Sequence, residues 1–195
     1  MARVSACEVP EGSLLAQYGG AGDYRDCFVR EVPGEVTLEQ YIERFYSSMA
    51  FAQERMILSL IGRAKGWDAS GDAIRALARG EAERFAAWEV IERQSATSGP
   101  QARPGARSDA TVGRVSEESP RGRMAPPAPE AQTYNSDQIL LLSKDTNTAS
   151  WLSVQPVGSN TKLLFGSWVG RIEQSGWRVM LSAHVWYSRV LLGGC

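Results

Sequence analysis

The chain has 195 residues and a formal net charge of -1, with a pI near 5.9. That balance leaves no basic excess to draw the protein to phosphate backbones or to an anionic membrane surface, so a nucleic-acid partner is not expected. With 43% hydrophobic residues the chain can bury its own core, and its length favours one domain, residues 1–195, over two.

The N-terminal MARVSACEVPEGSLLAQYGG carries no continuous apolar stretch, and no segment approaches the roughly 20 apolar residues of a membrane span. The expected location is cytoplasmic. Cys7, Cys27 and Cys195 are odd in number and widely spaced, with no CxxC or Cys/His cluster; the odd count with no export signal argues against a disulfide framework, and the spacing argues against zinc. Cys27, inside the β-type run DCFVREV, reads as a small buried residue; the alternative is a reactive thiol.

That run, 26–32, ends at Pro33-Gly34 and is the first expected strand. Thr37 then precedes Leu38, Tyr41, Ile42, Phe45 and Met49 at helical spacing, and Thr37 with Gln40 matches a capping box. Ser47-Ser48 breaks this helix, and Phe51, Ile57, Leu58 and Ile61 continue an apolar surface to Gly62. A short helix, DAIRALAR, ends at Gly80, and RFAAWEVIE (84–92) reads as one strand. The polar pairs Glu43-Arg44 and Glu54-Arg55 read as solvated helix charges, with a polar site at a pocket mouth as the alternative.

Residues 95–133 contain no Leu, Ile, Phe, Trp, Tyr or Cys and hold six of the chain's 9 prolines. Such a stretch cannot bury enough apolar surface to offset its ordering entropy, so 95–135 reads as a disordered insert. Deleted in thought, it leaves Glu92-Arg-Gln beside Asp137-Gln-Ile, as at a hairpin tip. A docking role for the insert is the alternative to a tolerated insertion.

Beyond it, DQILLLS, SWLSVQPV and TKLLFGSWVGRI are three closely spaced apolar strands with turn residues between them, which favours an antiparallel meander. Gly166 and Gly170 inside the last of these suggest sheet curvature or a bulge. The final segment, WRVMLSAHVWYSRVLL (177–192), places Trp177, Met180, Leu181, His184, Tyr187, Ser188 and Leu191 along one side of a helix. The expected class is α+β, with about five antiparallel strands and a C-terminal helix.

YRDCFVREV, the helical pair after it and the strand set closed by AHVWYSRVLL resemble uncharacterised bacterial proteins allied to the START and polyketide-cyclase-like (SRPBCC) superfamily. The resemblance extends to the pattern His184, Tyr187, Ser188, Arg189 and Leu192 of the last helix. It implies a helix-grip fold, in which a curved sheet wraps the C-terminal helix and leaves an apolar cavity between them. About five strands and a short last helix depart from that pattern, which implies a small cavity or none.

His184 is the only histidine, hence the only side chain whose ordinary pKa suits proton transfer near neutrality. No nucleophile motif surrounds any serine, and no carboxylate lies near His184 in sequence to orient its ring. Packing is the simpler reading of this residue. HExxH, Walker and paired-carboxylate motifs are missing from the sequence, so no metal or nucleotide cofactor is expected. The first functional expectation is therefore a noncatalytic protein that binds a small apolar or amphipathic ligand through Trp88, Trp151, Trp168, His184 and Tyr187. The second is a cyclase- or dehydratase-like enzyme using His184, assisted by Tyr187, as general acid or base. The third is an interaction domain with a docking insert, its protein partner unidentified.

Overall fold

A computed structural model describes residues 3–20, 22–52, 55–56, 65–96, 134–170 and 177–194, the side chains of 177–182 excepted. Most of the 95–135 insert, together with Glu54, Ile57, Leu58, Ile61, Gly62 and Cys195, lies outside them. The described elements are β1 (Ser5–Ala6), α1 (Leu14–Gln17), β2 (Tyr24–Pro33), α2 (Leu38–Ser47), α3 (Gly71–Arg79), β3 (Arg84–Phe85), β4 (Trp88–Gln94), β5 (Asp137–Ser143), β6 (Thr148–Val157), β7 (Asn160–Val169) and α4 (Trp177–Gly193). Residues 49–52 and 55–56 are also helical.

The helices begin and end where local chemistry dictates. Gln40 N–H donates to Thr37 Oγ1 at 3.2 Å and Thr37 N–H to Gln40 Oε1 at 3.3 Å, so the capping box closes in both directions. Ser48 ends α2 in extended conformation, and its hydroxyl then accepts Phe51 N–H at 3.2 Å, capping the next helical turn. Ser70 caps α3, and Gly80 ends it in the left-handed region at φ 75.

The sheet has seven strands in the order β1-β2-β7-β6-β5-β4-β3, with every neighbouring pair antiparallel. The count corrects the expectation of about five. Five long strands follow the expected sequence, and the two additions are two-residue strands at the sheet edges. One of these arises because RFAAWEVIE is a hairpin: Phe85 pairs with Trp88 around Ala86, whose φ is 49. No Gly, Asn or Pro marks that turn; the Ala86 N–H is held by Asp68 O at 3.0 Å instead.

Strands β4 and β5 pair with Gln94 opposite Gln138, so the chain between Ala96 and Tyr134 joins two adjacent strand ends. The first long strand, β2, pairs along its whole length with the last, β7. That pairing puts residues from both ends of the chain side by side. Helices α2, α3 and α4 cover one face of the sheet, and its buried cluster includes Phe28, Ile42, Phe45, Leu77, Leu152 and Phe165. The N-terminal segment covers the other, where Leu14, Leu15, Cys27, Leu140, Trp151, Leu164 and Trp168 form a second cluster.

Candidate functional site

The inner, helix-covered face is not filled. A cavity of about 370 Å³ lies between the sheet, the α2 region and α4. Phe45, Tyr46, Phe51, Trp88, Phe165 and Leu191 supply its apolar wall. Strand periodicity explains the polar remainder: Thr148 and Ser150 of β6 and Ser167 of β7 share the inward parity with Leu152 and Phe165, yet carry side chains too short to reach the helices. Small residues beneath a helix held off by rings leave space.

His184 of α4 borders this space, and its Nε2 lies 3.7 Å from Oδ2 of Asp26 on β2. That is an ion-pair distance, longer than a hydrogen bond. Both side chains are largely withdrawn from water, at 19% and 9% exposure. The carboxylate is held from two further sides: Ser167 N–H donates to Oδ1 at 3.0 Å and the Tyr24 hydroxyl to Oδ2 at 3.1 Å. Asp26 does not border the cavity; it acts there through His184 and Ser167, which do.

What brings His184 to Asp26 is a register between α4 and β2. Arg30 Nη1 donates to the carbonyls of Leu192, at 3.2 Å, and Gly193, at 2.8 Å, so a strand cation caps the helix C-terminus. Midway, the Arg189 guanidinium lies over the Phe28 ring, 5.4 Å from its centroid. From His184 to Leu192 a helix rises about 12 Å, and from Asp26 to Arg30 a strand advances about 13 Å. The two elements therefore run alongside each other with matched spacing, and three contacts fix their alignment. Arg93 of β4 does the same for α3, donating to Leu77 O at 2.9 Å and Ala78 O at 2.5 Å.

Burial pushes both members of the dyad toward neutrality. Desolvation raises the Asp26 carboxyl above its ordinary range, opposed by His184 and by hydrogen bonds from Ser167 and Tyr24. Desolvation lowers His184, with Asp26 pulling it back up. A neutral imidazole beside a carboxylate accepts a proton, and the carboxylate then stabilises the imidazolium. Burial also pushes the Tyr24 hydroxyl up, reinforced by the Asp26 charge, so it remains a donor.

The residues singled out from sequence divide between the two faces. Trp88, His184 and Tyr187 border the cavity. Trp151 and Trp168 do not: they have the opposite strand parity and belong to the outer cluster. Trp151 is fully buried and donates to Gln138 Oε1 at 2.8 Å; Trp168 donates to Asp23 Oδ2 at 3.0 Å and meets Tyr18 edge-on. Trp186 is 65% exposed on α4.

The Tyr187 hydroxyl donates to Ala50 O at 3.4 Å, and the Ser188 hydroxyl to His184 O at 2.9 Å. The Ser188 bond is the usual recourse of a helical serine and ties up its proton. Asp26, the residue sequence reasoning missed, lies at the far end of the chain from His184. Its signal was an acidic residue on the inward parity of β2, shared with Phe28, Arg30 and Val32, but the strand also carries Arg25 and Glu31, so charge alone did not single it out.

Among the described residues no group of three or more His, Cys, Asp or Glu is placed to hold a metal ion. No helix among them is long and apolar enough to cross a membrane. No protein-family model, curated protein or solved structure matches the chain.

Proposed function

We propose that the protein binds a small hydrophobic or amphipathic molecule between its sheet and C-terminal helix, with the molecule's polar group directed at His184. The observation that carries this reading is the cavity of about 370 Å³, walled by aromatic rings and edged by hydroxyls and one imidazole. Ligand sites run from roughly 300 to 1,000 Å³ and are mostly apolar with a few polar groups that orient the ligand. This one lies at the small end. The kinship with START and polyketide-cyclase-like proteins belongs to the same proposal, supported by an antiparallel sheet whose first and last long strands pair and by a closing helix bordering the cavity.

Native mass spectrometry of protein purified from its source tests binding. The expected result is an added mass that leaves on denaturation. A bare protein that also fails to take up naphthalene-sulfonate or fatty-acid probes overturns the reading.

A second reading is favoured by one specific observation, the Asp26–His184 pair at the cavity edge. In it the bound molecule gives up a proton to His184, as a cyclase or dehydratase requires, with Asp26 rather than Tyr187 as the assisting group. His184→Asn separates the two readings. Retained ligand with lost turnover supports catalysis; a ligand recovered chemically unchanged from wild-type and variant alike leaves binding alone.

A further inference from the structure

The sulfur atoms of Cys7 and Cys27 are 3.1 Å apart on the outer face of the sheet. The β1–β2 register of Ser5 with Val29 and Ala6 with Phe28, carried one residue further, sets Cys7 opposite Cys27. The backbone completes the pairing, with Cys7 N–H donating to Cys27 O at 2.9 Å. Directly opposed residues on antiparallel strands are separated by about 4.5–5.5 Å between Cα atoms, within the range a disulfide spans. The odd number of cysteines argued against a disulfide framework; strand pairing brings these two together.

The two thiols are unequal. Cys27 is 2% exposed, whereas Cys7 is half-buried at the edge of the cluster. A hydrogen bond from the Cys27 thiol, aided by the Lys162 charge, lowers the Cys7 pKa against the opposing effect of burial. The same contact pushes Cys27 up, as does its burial. One sulfur is thus reachable and the more acidic, the other shielded beside it, the division of labour between an attacking and a resolving thiol.

We propose that Cys7 and Cys27 form a redox modification site that hydroperoxides convert to a disulfide. The Cys7 thiol attacks the peroxide O–O bond, giving a sulfenic acid and one molecule of water or alcohol. The Cys27 thiol then displaces hydroxide from that sulfur, forming the S–S bond and releasing a water. Two thiols are oxidised and one peroxide is reduced, and thiol reductants reverse the change. The disulfide ties residue 7 to β2 and fastens the segment carrying Leu14 and Leu15 across the outer face.

The test uses full-length Cys195→Ser protein treated with hydrogen peroxide near neutral pH. The expected result is loss of both titratable thiols, an intact mass lower by two hydrogens and recovery with dithiothreitol. Cys27→Ser in the same background traps the Cys7 sulfenic acid for dimedone, while Cys7→Ser leaves Cys27 unmodified. Thiols that remain titratable, oxygen added to one sulfur with the other still free, or equal dimedone labelling of the two single variants overturns the proposal.

Discussion

The two faces of the sheet are built from alternate residues of the same strands and end in opposite states. On the outer face, Trp151 and Trp168 are packed by Leu14, Leu15 and Tyr18, and the buried Gln138 is satisfied by Leu14 N–H, Trp151 Nε1 and Gln94. On the inner face, Ser150 and Ser167 occupy the corresponding positions beneath a helix, and space is left. Large rings on a sheet are therefore no guide to a pocket; short polar residues at inward positions are a better one. Both faces carry buried clusters, but the inner one also leaves the space in which the proposed ligand would sit.

Five substitutions probe that contrast. Trp151→Ala removes a fully buried ring and leaves Gln138 a partner short, and we expect a loss of about 3–5 kcal/mol in urea denaturation, with the inner cavity unchanged. Gly166→Ala comes next. A Cβ there would run into Leu15 Cδ2 and lie 2.9 Å from Asp26 O and 3.2 Å from Trp151 Cε3, so overpacking should cost about 1–3 kcal/mol by the same measurement.

Ser150→Leu addresses the inner face. It should change stability by less than about 1.5 kcal/mol because it fills space instead of displacing atoms. Probe affinity measured by fluorescence titration should fall at least about tenfold, or about 1.4 kcal/mol. A large stability loss with unchanged affinity would reverse the assignment of the two faces.

The smallest effect concerns the dyad and is read by NMR of the sole histidine. Asp26 is the influence that raises His184 against desolvation, so Asp26→Asn should move the His184 titration to lower pH still. The stability profile carries the matching signs. Asp26, with a raised folded pKa, contributes stability present below the ordinary carboxylate range and lost as pH rises through the raised value; Asp26→Asn should abolish that loss. His184, with a lowered folded pKa, contributes stability present above the ordinary histidine range and lost as pH falls through the lowered value. Denaturation midpoints across pH in the wild-type, Asp26→Asn and His184→Gln proteins check both.

Gly166 in β7 and Gly170 just beyond it show how far the local sequence reaches. Gly166 suggests sheet curvature or a bulge; there is no bulge, because β7 pairs with β2 and β6 without any shift from Asn160 to Val169. Gly166 instead makes room for Leu15 and Trp151, and Gly170 for the Trp168 ring. The register shift that does occur is in β4, between Val90 and Glu92, where no glycine stands. A missing Cβ is visible in sequence; which neighbour uses the space is not.

Sequence by itself determined what depends on residues close along the chain. Hydrophobic periodicity places the five long strands and helices α2, α3 and α4, side-chain chemistry places the cap at Thr37, and the Ser47-Ser48 break and Gly80 mark helix ends, whereas α1 and the Ser70 cap were not among the expectations. Each is a short-range consequence of backbone hydrogen bonding. Tertiary structure alone decided which strands pair and therefore which distant residues meet. Pairing β2 with β7 and laying α4 along β2 brought Asp26 to His184, and pairing β1 with β2 brought Cys7 to Cys27. Strand alternation then sent Trp88 inward and Trp151 and Trp168 outward, a choice fixed by which face the helices cover.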